Sequence, residues 1–215
     1  MIIKVCGLKD TENVNSLLQS CSPDMLGMIF YSKSPRFIGE SVHKSNFFSS
    51  QGQDRVGVFV DSAFSEILKT VQEFQLDVIQ LHGNEDADFV KNIKEALDVK
   101  VIKVFRIGKE LRMEDLRPFD GLADYFLFDT ETSSFGGSGR RFDWQLLEAY
   151  DLQTPYLLSG GIASDDVGEL VELQKKHPKM AGIDINSKFE LEPGIKDVEL
   201  VKTFVEKLRA QENEN

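Results

Sequence analysis

The residues of this 215-residue chain that could do chemistry stand where short apolar runs end. The opening "MIIKVCGLKD" makes a β-branched run that closes on Cys6 and breaks at Gly7. A cysteine in such a place is either a small inert hydrophobe or a thiol kept for use, because only the thiolate acts as base or nucleophile. "DYFLFD" ends on Asp129, an acid that must find partners or work, since desolvation penalises its charged form. It either caps its own loop through "DTETSS" or handles a proton. His82 in "QLHG" is the only histidine at the end of such a run, and Arg36 follows the proline of "YSKSPRF". Cys6 with Asp129 reads as a general acid and base rather than as a Cys–His nucleophile pair.

Eight strand-like runs, 2–6, 25–30, 55–60, 77–82, 100–106, 124–129, 155–159 and 181–186, carry these residues. Helix-like stretches near 11–20, 40–49, 63–74, 86–97, 109–117, 143–150, 164–176 and 197–211 alternate with them, the second poorly periodic. Unbroken strand–helix alternation implies parallel strands joined by right-handed crossovers. At roughly 27 residues per unit the whole chain is used, so the expected fold is α/β, a single-domain (β/α)8 barrel over 1–215 with a frayed tail at 211–215.

Such a barrel gathers its chemistry at the C-terminal ends of its strands. Those ends are Cys6-Gly7, "YSKSPRF", Asp61, "QLHG", Arg106, Asp129, "SGG" and "DINS". Cys6 and Asp129 then face each other across the mouth, with His82 too far from Cys6 to activate it. Glycine-bearing loops follow strands six, seven and eight. Backbone N–H groups in such loops suit a phosphate dianion, at the end where barrels place one. The expected phosphate ligands are Gly136, Gly137, Ser138, Gly139, Ser159, Gly160, Gly161, Asn186 and Ser187; the alternative for the first cluster is a surface loop. Asp143 and Ser164 read as helix N-caps.

The formal charge of −11 argues against nucleic acid and anionic lipid as partners, and no apolar run approaches the length of a membrane span. Cys6 and Cys21 are the only cysteines and have no metal-type spacing. A cytoplasmic protein acting on a small molecule, as a monomer or weak homodimer, is expected.

Together "KVCGL", "SPRF", "VGVFV", "QLHG", "FDT", "GGSG" with "FDW", "LSGGI" and "GIDINS" with "EPGIKD" resemble the phosphoribosylanthranilate isomerases of tryptophan biosynthesis over nearly the entire chain. The resemblance implies an Amadori rearrangement of a phosphorylated aminosugar, with Cys6 as general base and Asp129 as general acid. It implies neither metal nor organic cofactor. Arg36 would pair with the anthranilate carboxylate through its planar fork, or else be a solvated arginine after a turn; His82 and Asp184 complete the substrate site. Strand alternation puts Lys4 on the face of Cys6, one layer below, beside Asp184 where strand eight closes on strand one. A buried Lys4–Asp184 pair that favours the thiolate is expected, unless Lys4 snorkels out of the barrel bottom. Lys9 and Lys188 depart from the family pattern, Lys188 either reaching phosphate or facing water. The rival readings are another phosphosugar barrel of tryptophan or histidine biosynthesis, and a non-catalytic phosphate-binding barrel.

Overall fold

The computed structural model describes residues 1–39, 52–131 and 141–213. Its strands are β1 (Ile2–Val5), β2 (Met25–Ile29), β3 (Asp54–Phe59), β4 (Val78–Leu81), β5 (Lys100–Ile107), β6 (Tyr125–Thr130), β7 (Tyr156–Leu158) and β8 (Met180–Ile185). They pair in parallel in chain order, and β8 returns to β1 to close the barrel. Every strand end lies within one residue of its expected position.

Period-two alternation sorts the side chains into two cores. Met25, Val56, Val78, Ile102, Val104, Leu127 and Leu157 form a small interior cluster. Their neighbours along the strands, among them Leu26, Ile79, Val101, Phe126 and Phe128, join the larger cluster between strands and helices. Lys4, Cys6, Gln80, His82, Asp129 and Asp184 share the interior parity, so polar groups stand above and among apolar layers.

The helices are α1 (Thr11–Ser20), α2 (Phe64–Phe74), α3 (Ala87–Ala96), α4 (Met113–Leu116), α5 (Val167–Lys176) and α6 (Val198–Asn213). Asp10 and Asp86 cap α1 and α3, accepting from the Asn13 and Phe89 N–H groups at 2.8 Å. Three helical segments depart from the sequence reading. The fourth shrinks to α4 and a 3-10 turn at Arg117–Phe119, because Pro118 cannot continue an α-helix. The sixth is wholly 3-10, Trp144–Ala149, burying Trp144 and Leu147 at the i, i+3 spacing a threefold helix aligns; Asp143 caps it. The seventh starts at Val167, past Ser164, where Asp166 instead accepts from the Ala163 N–H. The expected second helix, 40–49, lies outside the described residues.

Helix α6 runs on through Asn213, beyond the start of the expected frayed tail. Glu212 pairs with the Met1 ammonium at 2.6 Å, and Arg209 reaches the Met1 carbonyl and Asp24. The last helix thus ties down the first strand. After β8 comes an unexpected hairpin, β9 (Glu190–Glu192) and β10 (Ile195–Lys196), turned by Pro193-Gly194.

Candidate active site

The C-terminal strand ends surround a cavity at the barrel mouth. Cys6 lies just past β1, His82 past β4, Asp129 near the end of β6 and Asp184 near the end of β8, and all four line it. Ser159, Gly160 and Gly161 after β7, and Asn186 and Ser187 after β8, line the same space. Of the expected phosphate ligands, Gly136, Gly137, Ser138 and Gly139 lie outside the described residues. Lys188, exposed, also lines the cavity. No group of three or more His, Cys, Asp or Glu side chains among the described residues is arranged to hold a metal ion.

Beneath the thiol the expected buried pair is present. Lys4 and Asp184 are register partners across the β1–β8 seam, and Nζ stands 2.9 Å from Oδ2 with both side chains buried. Burial works against the Lys4 charge, but Asp184 and the neighbouring thiol outweigh it and hold its pKa above the ordinary value. The effect on Cys6 differs from the expectation. Burial pushes the thiol above its usual pKa, and the opposing pull of Lys4 does not overcome it. The resting base is therefore a thiol. Alkylation of Cys6 by iodoacetamide should be slower at pH 7 than that of a free thiol and should climb at a more alkaline pH than the free thiol's, and Lys4→Met should move the rise further alkaline. A half-titration at or below that of a free thiol measured alongside would contradict this.

Asp129 has the environment of an acid. Burial, helped by the negative charge of Asp184, lifts its pKa to about 6 against the pull of a 2.8 Å hydrogen bond from the Thr130 N–H. Gly160 allows this packing. Its φ of +85° favours glycine, and a Cβ there would stand 2.3 Å from the Thr130 hydroxyl and 3.0 Å from Asp129 Oδ1. His82 stands beside Asp129, Nε2 3.6 Å from Oδ2, rather than beside Cys6. Burial, then Lys4, Arg106 and Lys103, push its pKa down to about 3, so it is a neutral imidazole across the physiological range.

Arg36 is neither solvated nor in the cavity lining. It is buried, and its guanidinium grips Glu190 through Nε at 2.9 Å and Nη2 at 2.7 Å. Gly7, with φ +77°, lets it pass, since a Cβ would come within 2.7 Å of both Arg36 Cδ and Asn186 Oδ1. Glu190 also accepts from buried Lys196 at 2.8 Å, and Lys196 donates 2.8 Å to Asn186 Oδ1. Burial alone would raise Glu190, but Arg36 and Lys196 hold it below the ordinary range. The triad carries one net positive charge beside the mouth. Glu190 and Lys196 were missed in the sequence, although "EPG" marked the turn that brings them together. Lys9 donates to the Pro35 carbonyl at 3.3 Å, bracing the Arg36 loop. Gln80, also missed, lines the cavity floor.

A family model described as N-(5'phosphoribosyl)anthranilate (PRA) isomerase matches residues 3–207. The chain belongs to this family. It is 43% identical to the N-(5'-phosphoribosyl)anthranilate isomerase of Phocaeicola vulgatus over 97% of this chain and 98% of that one. Identity to the Parabacteroides distasonis isomerase is 37%, covering 97% and 93%. Among solved structures, the phosphoribosyl anthranilate isomerase of Thermotoga maritima superposes with a TM-score of 0.82 at 29% identity, over 98% of this chain and all of that one. A phosphoribosyl anthranilate isomerase structure in complex with reduced 1-(o-carboxyphenylamino)-1-deoxyribulose 5-phosphate superposes with a TM-score of 0.76 at 26% identity, over 98% and 100%. The Thermotoga maritima isomerase is also described as dimeric.

Proposed function

We propose that this isomerase converts N-(5-phosphoribosyl)anthranilate to 1-(2-carboxyphenylamino)-1-deoxyribulose 5-phosphate with Asp129 as general acid and Cys6 as general base. The observation that carries the assignment is the pair itself, a carboxyl with its pKa raised to about 6 and a buried thiol lining one cavity from β6 and β1. Asp129 gives its proton to the furanose ring oxygen, the C1′–O bond breaks, and the anilino nitrogen pushes in to form an iminium. The Cys6 thiolate takes the C2′ proton, and the electron pair flows through C1′ to the nitrogen, leaving an enolamine. Protonation at C1′ and loss of the C2′ hydroxyl proton give the ketone. The substrate's own iminium is the electron sink.

Below pH ~6 Asp129 is protonated but the thiolate is scarce, and above the Cys6 pKa the thiolate is abundant but the acid is spent. The working pair is then a minority ionisation state whose population is flat between the two pKa values. Neutral His82 stands beside the Asp129 carboxyl without competing for the proton. Asp184 Oδ1, buried and without a hydrogen-bond partner, is open to a substrate hydroxyl.

The backbone of Ser159–Gly161, with φ of +85° and +74° at the two glycines, supports phosphate binding together with Asn186 and Ser187. Lys188 adds a mobile positive charge at that end. Lys188→Gly should raise KM several-fold with kcat little changed, less so at high salt because an exposed pair is screened over about 8–10 Å. An unchanged KM at low salt would leave phosphate to the backbone alone. Arg36 stands outside the cavity lining with its Nε–Nη2 edge on Glu190, so its proposed role as the carboxylate ligand requires the substrate to reach it from the mouth. Arg36→Met should raise KM far more than it lowers kcat, and an unchanged KM would remove it from the site.

The acting species is a monomer or weak homodimer, the dimeric Thermotoga maritima relative supporting the second. The compartment is the cytoplasm, which two free cysteines support. Complementation of a tryptophan auxotroph lacking this step tests the function. Growth is expected with this chain and not with its Cys6→Ala form; no growth despite soluble expression would overturn the assignment.

A further inference from the structure

Gln80 sits on β4 between Val78, a member of the interior cluster, and His82 at the strand end, all three on the barrel-facing side. It is 1% exposed and lines the floor of the cavity that holds Cys6 and Asp129. Its Oε1 is buried and has no hydrogen-bond partner among the described residues. Its register neighbours are Val58 on β3 and Ile102 on β5, whose side chains offer no donor. Trp144 Nε1 and Tyr156 Oη are also buried without partners, but neither residue lines this cavity.

A buried carboxamide with an unpaired oxygen is costly, and a leucine or methionine of similar size would fill the same floor without that cost. A polar group held at such a cost beneath an active cavity is explained by a ligand that completes it. Asp184 Oδ1, likewise buried and unpaired, lines the same cavity from β8. Two acceptors without donors suit a polyol, whose hydroxyls bring donors that phosphate and carboxylate do not.

We propose that Gln80 is a substrate-binding residue whose carboxamide oxygen accepts a hydrogen bond from a ribose hydroxyl, holding the opened sugar chain over Cys6. This rests on the function proposed above. The phosphate and the aromatic carboxylate are held elsewhere, by the β7 and β8 loops and by Arg36, so Gln80 discriminates the sugar alone.

The test is Gln80→Met, with Gln80→Leu as a second variant, read by steady-state kinetics, thermal melting and competitive inhibition by inorganic phosphate. The expected result is a fall in kcat/KM of about 5- to 50-fold, a Tm equal to or above that of the wild type, and an unchanged inhibition constant for phosphate. A residue that merely supports the barrel would give the opposite pattern, a lowered Tm with kinetics intact in the protein that folds. Wild-type kcat/KM in either variant, or a Tm lowered in both, overturns the proposal. A wild-type protein that does not turn over the aminosugar would instead overturn the function, while the Tm comparison would still report whether Gln80 is an unpaired group that destabilises the fold.

Discussion

Cys6→Ala and Asp129→Asn should each lower kcat by at least about 10², the low end for a lost general acid or base, with the barrel intact. The two variants separate by stability. Asp129 has a folded pKa of about 6 against an ordinary value of ~3.9, so the folded state holds its proton more tightly than the unfolded chain. The raised pKa means that ionised Asp129 destabilises the fold. This penalty is complete above pH ~6 and vanishes as pH falls below ~4. Asparagine never ionises, so Asp129→Asn should melt higher than wild type at pH 8 and converge with it near pH 4. A variant that lost both activity and stability at pH 8 would make Asp129 a structural acid. A folded Cys6→Ala protein with wild-type turnover would remove Cys6 from the chemistry.

Glu190→Ala should produce the largest loss of stability. The carboxylate is shared by buried Arg36 and Lys196, with its own side chain only 4% exposed, so its removal strands two buried cations. Breaking a buried pair by deleting one partner costs about 3–5 kcal/mol. For a domain of this size that is a fall in Tm of roughly 6–20 °C, since 1 kcal/mol shifts Tm by about 2–4 °C. Glu190 is held below its ordinary pKa, so its contribution is present above pH ~4.3 and fades as acid protonates the folded carboxylate. The gap between variant and wild type should therefore be full at pH 7 and narrow in strong acid. A Tm within about 2 °C of wild type at pH 7 would show that Arg36 and Lys196 are held by other means.

Strict geometry made part of this site legible in the sequence. Strand alternation places Lys4 under Cys6, and closure of an eight-stranded barrel places β8 beside β1, so Lys4 and Asp184 had few other places to meet. The strand ends followed from the same periodicity. Less was legible where short elements and tertiary partners decide. The hairpin bearing Glu190 and Lys196 pairs three residues with two, too few for a periodic signal, and Glu190 lies 154 positions from Arg36. "QLHG" drew attention to its histidine, while the missing partner of Gln80 is a property of what surrounds it in space. The pKa of Cys6 turned on a balance of opposing effects: Lys4 was visible, but the depth of burial that outweighs it was not.

The most direct measurement is a progress curve, with purified protein mixed with N-(5-phosphoribosyl)anthranilate and followed by the change in anthranilate fluorescence and by mass. The expected result is complete conversion to a product of unchanged mass carrying a ketone at C2′, at a rate flat from pH ~6 to the Cys6 pKa, and no conversion above background with Cys6→Ala. A folded wild-type protein that leaves the substrate unchanged, or an equally fast Cys6→Ala variant, would contradict it.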